Sequence, residues 1–201
     1  MFVAEEKECI GVIGISDTIK KEAAEVISEL KKIGIKTVLL TGDTQAAAEY
    51  IGKSAGVDTI IAEVLPTQKA EEVIKLQNSG ETVMMVGDGI NDAPALVQAD
   101  TGCAVGNGSD IAIDSADIVL MKDELTDVVK AIKLSKLTIK NIKFNLFWAF
   151  LYNTLGIPIA AGVLYPFFRI LLSPMLGAAA MSLSSLFVDG NALRLKTKKF
   201  K

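Results

Sequence analysis

Two uncharged apolar runs constrain this chain more than any other feature. Phe144 to Tyr165 and Ile170 to Val188 contain no Asp, Glu, Lys or Arg, and only Arg169 carries a charge between them. As helices they would measure roughly 33 Å and 28 Å, against about 30 Å for the hydrocarbon core of a bilayer. Lysines 130, 133, 136, 140 and 143 precede the first run, and Arg194 with lysines 196, 198, 199 and 201 follows the second. Positive charge at both outer ends and little in the turn predicts a membrane hairpin with both termini in the cytoplasm. The competing reading is a pair of buried helices in a soluble protein. Residues 126–143 are expected to form a helical stalk leading into the hairpin, 144–188, with 189–201 as a basic tail. These runs explain why half the residues are apolar and the mean hydropathy is +0.40.

Residues 1–125 have a different pattern. Candidate strands "CIGVIGI" (9–15), "TVLL" (37–40), "TII" (59–61), "TVMMV" (82–86) and "DIVL" (117–120) alternate with helical stretches. The stretch Ile19 to Ile33 has apolar residues near helical spacing and is stopped by Gly34. "TQAAAEYIGKSAG" and "PTQKAEEVIKLQNSG" read as two more helices, the second with Pro66 at its start and Gly80 past its end. The alternation predicts an α/β domain built on a parallel sheet. Net charge is −3, which gives no reason to expect nucleic acid binding. Without histidine the chain has neither imidazole metal sites nor Ser-His or Cys-His catalysis. Cys9 and Cys103 lack metal-ligand spacing and are expected to be buried core thiols. The acidic opening "MFVAEEKECI" does not fit a signal peptide.

In an open α/β sheet, ligands gather outside the carboxyl ends of the strands. Three polar groupings fall there. "TVLLTGD" ends a strand with Thr41, Gly42 and Asp43; "TVMMVGDGIND" ends another with Asp88, Asn91 and Asp92; "PTQK" puts Lys69 in the first turn of a helix. A phosphoryl group needs hydroxyl and backbone N–H donors, a cation against its oxygens, and carboxylates to hold Mg²⁺. Each grouping alone could be a turn, a solvated lysine or a loop. Together, in this order, they supply one of each requirement.

"TGD", "PTQK" and "MVGDGINDAPALVQAD", followed by "GSDIAIDSADIVL", resemble the phosphorylation domain of P-type ATPases, in the haloacid-dehalogenase superfamily. That resemblance implies a partial haloacid-dehalogenase-like parallel-sheet domain followed by a two-helix transmembrane hairpin. It implies that Thr41 and Gly42 bind the transferred phosphoryl group and that Lys69 neutralises its charge. Asp88 and Asp92 become Mg²⁺ ligands, Asn91 joins the phosphate network, and Asp43 matches the motif with a less defined role. The family's nucleophile, the first aspartate of an Asp-Lys-Thr-Gly-Thr motif, does not occur in these 201 residues. The resemblance therefore covers the carboxy-terminal part of a pump. The nucleotide domain that binds ATP is expected in a missing amino-terminal part, and this chain alone should form no phosphoenzyme.

Neither uncharged run offers a carboxylate to a hard cation. They do contain Tyr152, Asn153, Met181 and Ser185, with Met181 and Ser185 four apart on one helical face. Counted from the cytoplasmic ends, Asn153 would lie about 13 Å deep and Met181 about 10 Å. A thioether favours Cu⁺ over Zn²⁺ or Ca²⁺; packing is the plainer role for a lone Met or for serines among small residues. "YN", "GIPIAAGVLYP", "LSPMLGAAAMS", "MSLSS" and "NALRL" resemble the copper-transporting subclass. By that resemblance Tyr152, Asn153, Met181 and Ser185 are intramembrane Cu⁺ ligands or their neighbours, in a plasma-membrane pump that a copper chaperone could supply. The zinc and cadmium subclass would instead carry a lysine in the first run and an aspartate within the second. The subclass's Cys-Pro-Cys pair is not in this chain, and Asp189 reads as an interfacial or capping residue. The leading expectation is thus a section of a Cu⁺-exporting ATPase. The alternatives are a truncated or separately encoded non-catalytic membrane protein and a membrane-anchored phosphatase.

Overall fold

The computed structural model describes residues 2–5, 8–12, 18–88, 90–106, 110–163, 165–168, 182 and 186–193. The chain divides into two compact units, Met1–Val129 and Lys130–Lys201.

The first unit opens with an antiparallel hairpin, β1 (Phe2–Glu5) and β2 (Glu8–Val12), with a bulge between Val3 and Ala4. This corrects two expectations. Residues 8–12 pair with their immediate neighbours rather than joining the parallel sheet, and Cys9 is exposed. Alternating apolar residues indicate a strand, but they do not say whether a second layer covers its apolar face.

The rest of the unit alternates as expected. Helix α1 (Ala23–Lys32) buries Ala23, Val26 and Leu30, spaced to lie on one side. Gly34, at φ +79°, ends it, and the Ile35 N–H returns to the Leu30 carbonyl at 3.0 Å. Strand β3 (Val38–Leu40) pairs in parallel with β4 (Thr59–Ile61). Between them α2 (Gln45–Ala55) packs through the small residues Ala48, Gly52 and Ala55. A Cβ on Gly52 would fall 2.5 Å from Ile60 Cδ1, so only glycine lets α2 lie this close to β4. A 3₁₀ turn, Pro66–Gln68, leads into α3 (Lys69–Asn78).

The second sheet is β5 (Met84–Gly87), β6 (Thr101–Val105) and β7 (Ile118–Leu120), all parallel, with β6 in the middle. Helices α4 (Ala93–Gln98) and α5 (Asp110–Asp114) supply the crossovers. Strand β6 forms around Cys103, whose segment is strand-like in sequence: "TGCAV" has no long apolar run, yet its small residues make it the most buried of the described strands, and Cys103 is buried as expected. Gly102 allows this, because a Cβ there would meet the Leu96 carbonyl oxygen at 2.6 Å.

Three carboxylates tie the amino ends of the strands. Each belongs to an aspartate just before a strand and accepts a backbone N–H from the neighbouring strand or its lead-in. Asp58 takes Thr37 N–H at 2.9 Å, Asp100 takes Val83 at 2.8 Å and Asp117 takes Gly102 at 2.8 Å. Asp58 also accepts the buried Thr37 hydroxyl at 2.8 Å and pairs with Lys31 at 2.7 Å. Lys31 first, then the two Thr37 donors, pull the Asp58 carboxyl down to about 2.

The described strands do not make one sheet. Parallel sheets are normally covered on both faces and continuous, but β3 bonds only to β4, and β5 only to β6. Both remain partly exposed although their side chains are apolar.

The stalk expected at 126–143 is helical and continues without a break, as α6 (Thr126–Ala160). The first uncharged run is not a single helix to Tyr165. Pro158 lies in the last turn, and Gly162, at φ +87°, closes the end before a short α7 (Tyr165–Phe168). The uncharged part of α6, from Phe144 to Ala160, is therefore roughly 25 Å long. Among the described residues no helix is long and apolar enough to cross a membrane. Most of the second run, 170–188, lies outside the described residues; 186–193 is helical. In this second unit Asn191 Nδ2 donates to Asn141 Oδ1 and, at 2.6 Å, to Asn145 Oδ1. The Trp148 and Phe187 rings meet edge to face at 6.3 Å. These pairs run the segment antiparallel to α6.

Candidate functional site

Acids at the carboxyl ends of the strands differ from those at the amino ends in what they touch. Asp43, Asp88 and Asp92 accept no backbone N–H among the described residues, whereas Asp58, Asp100 and Asp117 each accept one. The second group is committed to the sheet. The first group is available for chemistry.

Thr41 follows β3 directly. Its N–H donates to the Ile61 carbonyl at 3.0 Å and its carbonyl accepts Val64 N–H at 3.1 Å, fixing the residue beyond the strand. Its hydroxyl donates to Asp43 Oδ2 at 2.9 Å and accepts Asp43 N–H at 3.2 Å, closing a tight turn over Gly42. Gly42 lies against the Val64 carbonyl, 3.3 Å from where a Cβ would stand. Glu63 supports the turn from the other side: it has φ +57°, its N–H donates to the Asp43 carbonyl at 2.9 Å, and its carboxylate accepts Gln45 N–H at 3.4 Å. Positive φ is strained for glutamate, and no pattern in "IIAEVLP" announces it.

Lys69 opens α3 where the 3₁₀ turn hands over, with Gln68 holding the preceding Leu65 N–H at 3.2 Å. Its Nζ donates to Asp92 Oδ1 at 2.6 Å, and the side chains are only 15% and 13% exposed. The other ion pairs leave at least one side chain much more open. Asp92 closes a 3₁₀ turn, Ile90–Asp92, and stands against the end of β5: a Cβ on Gly87 would fall 2.8 Å from its Oδ2. Gly87 is thus the seat of the Asp92 carboxylate, a role hidden inside the Gly-Asp-Gly motif. Asp88 and Asn91 are exposed at the same strand end.

The structure brings Lys69 to Asp92, and Thr41 to Asp43. Among the described residues no hydrogen bond joins the two pairs, and no group of three or more acidic or cysteine side chains is close enough to hold a metal. The oxygen donors Asp88, Asn91 and Asp92 suit Mg²⁺ by type.

Residues 2–100 match the haloacid dehalogenase-like hydrolase family. Over residues 2–100 the first unit is therefore similar to that family. The chain is 53% identical over 197 residues to copper-transporting ATPase 2 of Rhizobium meliloti (strain 1021), covering 98% of this chain and 24% of that protein. It is 55% identical over 189 residues to the copper-exporting P-type ATPase of Vibrio cholerae serotype O1 (strain ATCC 39315 / El Tor Inaba N16961), covering 94% and 21%. A crystal structure of a zinc-transporting PIB-type ATPase in its E2.Pi state superposes with a TM-score of 0.83 at 35% identity, covering 96% of this chain and 31% of that one. The homologues are P-type ATPases, and the chain spans about a quarter of the length of the curated relatives it matches.

Of the residues expected to meet a transported ion, Tyr152 and Asn153 lie on α6 and are exposed. Met181 and Ser185 lie outside the described residues. Along α6 and 186–193, large apolar side chains such as Phe147, Phe150, Leu155, Ile157 and Leu186 are more than half exposed. A contiguous exposed apolar surface of this kind calls for an apolar neighbour.

Proposed function

We propose that this chain is the carboxy-terminal section of a Cu⁺-exporting P-type ATPase, contributing half of the phosphorylation site, a stalk and the last two membrane helices. One observation carries the reading. The Lys69–Asp92 pair ties the carboxyl end of the β3–β4 piece to that of the β5–β6–β7 piece, while among the described residues the two edges, β3 and β5, pair with no further strand. An extended strand donated by another stretch of polypeptide, entering between those edges, would complete the sheet. It would also deliver an acid among Thr41, Lys69, Asp88 and Asp92.

On that acid, the phosphoryl group from ATP would be met by the Thr41 hydroxyl and Gly42 N–H on one side and by Lys69 on the other. Asp43 would hold the Thr41 hydroxyl in place through their mutual hydrogen bonds. Asp88 and Asp92, with Asn91, would hold Mg²⁺, which would neutralise the developing charge on the phosphoryl oxygens. Lys69 now sits on Asp92, so an arriving phosphate would draw Lys69 off and free that carboxylate. The acid and the phosphate would also provide further oxygens to the Mg²⁺.

The exposed apolar surface along α6 supports a position in a membrane, with the first unit in the cytoplasm. The antiparallel pairing of Trp148 with Phe187 and of Asn145 with Asn191 supports a hairpin. Copper as the cargo rests on the soft Met181, on Tyr152, Asn153 and Ser185, and on the lack of any acid or lysine within either run. Within a complete pump, Met181→Ala should weaken Cu⁺ binding; unchanged affinity would remove that residue from the ligand set. The direct test of the phosphorylation reading is labelled ATP and acid quench. The chain alone should stay unlabelled, and mixing with the upstream section of a copper pump should give an acid-stable phosphoprotein. Label on the isolated chain, or none in the mixture, would refute the reading.

A further inference from the structure

The second unit contains an amide cluster where the lysine-bearing part of α6 gives way to its uncharged part. Asn141 and Asn145 are one turn apart on α6 and both offer their side-chain oxygens to one amide, that of Asn191. All three are partly buried, while most of the neighbouring positions on α6 and on 186–193 are exposed. Trp148, three residues beyond Asn145, meets Phe187, four residues before Asn191. Two contacts one turn apart therefore align the segment with α6, and they differ in kind. Edge-to-face rings tolerate sliding, because α6 offers an aromatic at nearly every turn: Phe144, Phe147, Trp148 and Tyr152. The amide contact discriminates, because a one-turn slide of roughly 5.4 Å would keep only one of the two asparagine acceptors and set the other Asn191 N–H opposite Leu137 and Thr138 or Trp148 and Ala149.

We propose that Asn141, Asn145 and Asn191 form an amide clasp that sets the axial register between α6 and the segment 186–193, with Asn191 as the positioning residue. Apolar surface holds two such helices together without choosing among offsets; a single buried amide chooses, because every other offset strands its hydrogen-bonding groups. Both N–H groups of Asn191 are used, so the clasp reads two consecutive turns of α6 at once. The register does not depend on the proposed function.

Cysteine cross-linking in the full 201-residue chain, with Cys9→Ser and Cys103→Ala, tests the clasp without copper or nucleotide. Phe187→Cys is combined in turn with Phe144→Cys, Trp148→Cys or Tyr152→Cys, and a short bis-maleimide reports which turn faces position 187. With the asparagines intact the 148–187 pair should link about tenfold more than either shifted pair. Asn191→Leu, and separately Asn141→Leu with Asn145→Leu, should bring the three pairs to within about twofold of one another. Asn145→Asp keeps an accepting oxygen and should retain the preference, separating loss of register from loss of folding. An unchanged preference in both leucine variants would overturn the clasp, as would loss of all three links in Asn145→Asp. If the preference behaves as expected while Met181→Ala leaves Cu⁺ affinity unchanged, the clasp stands and the cargo assignment falls.

Discussion

Replacing Lys69 with methionine removes the one well-shielded ion pair described in the first unit and leaves its packing stem nearly intact. At 2.6 Å and an effective dielectric of about 20, the gross attraction between Lys69 and Asp92 is roughly 6 kcal/mol. Withdrawing two charges to 15% and 13% exposure offsets most of it, since desolvation costs several kcal/mol per ion. The net loss in Lys69→Met should be about 2 kcal/mol, because Asp92 stays pressed against Gly87 with no cation beside it. Trp148, the chain's only tryptophan, lies in the second unit, so its fluorescence does not report this loss. Amide hydrogen exchange over residues 84–98 does. Protection there should fall about thirtyfold in Lys69→Met, while residues 23–32 change little. Two controls give the result its meaning. Asp92→Asn in the Lys69→Met background should recover much of the protection, since the stranded charge is gone. With the donor section and phosphate present, millimolar Mg²⁺ should recover protection in Lys69→Met but much less in the double variant, because Asp92 is the proposed ligand. Purely additive losses in Lys69→Met and Asp92→Asn would refute the pairing energetics, and no Mg²⁺ response in Lys69→Met with the donor section and phosphate present would refute the ligand role.

Gly87→Ala should displace Asp92, since the new Cβ would lie 2.8 Å from both Asp92 Cβ and Oδ2; a stability loss of about 1–3 kcal/mol together with loss of any Mg²⁺-dependent protection is expected. Asp58 contributes through a carboxyl held at about 2, below its ordinary 3.8. A depressed carboxyl stabilises the fold above pH 4, and this contribution is lost as pH falls from about 4 to 2. Asp58→Asn should therefore be less stable than wild type at pH 7, with the difference shrinking across that window in a pH series of thermal melts. Burial alone pushes the Cys103 thiol up to about 11, and Cys9 is exposed. Iodoacetamide at pH 8 should thus label Cys9 and spare Cys103 until the fold is opened, as peptide mass mapping would show.

The site was more legible in the sequence than the sheet that carries it. Lys69, Asp92, Thr41 and Asp43 could be picked out because each follows a strand or opens a helix, and position in an α/β unit decides where a side chain points. The same logic separates Asp58, Asp100 and Asp117, whose place before a strand commits them to backbone amides. Residue type alone would have pooled all of these acids. The segment around Cys103 reads as strand-like, but its central, deeply buried place as β6 was not legible, because that burial comes from small residues that pack closely, not from bulk, and Gly102 beside Leu96 shows how close. Cys9 was misread because period-two alternation describes a strand's own faces and carries no information about covering layers. The first uncharged run ends as a helix at Ala160 because Pro158 and Gly162 act locally, whereas absence of charge over the whole run says only which solvent it tolerates. The strained Glu63 and the Gly87 seat belong to tertiary contacts that no single segment encodes.

The central claim is that the tip after β5 grips magnesium beside a phosphorylated acid from another stretch of polypeptide. The most direct measurement is a structure of this chain with the donor section, Mg²⁺ and beryllium fluoride. The donor strand should lie between β3 and β5, with Asp88 and Asp92 on the metal and Lys69 turned from Asp92 to the fluoride mimic. Beryllium fluoride bound to the donor while the residues after β5 stay empty of metal and Lys69 remains on Asp92 would contradict it.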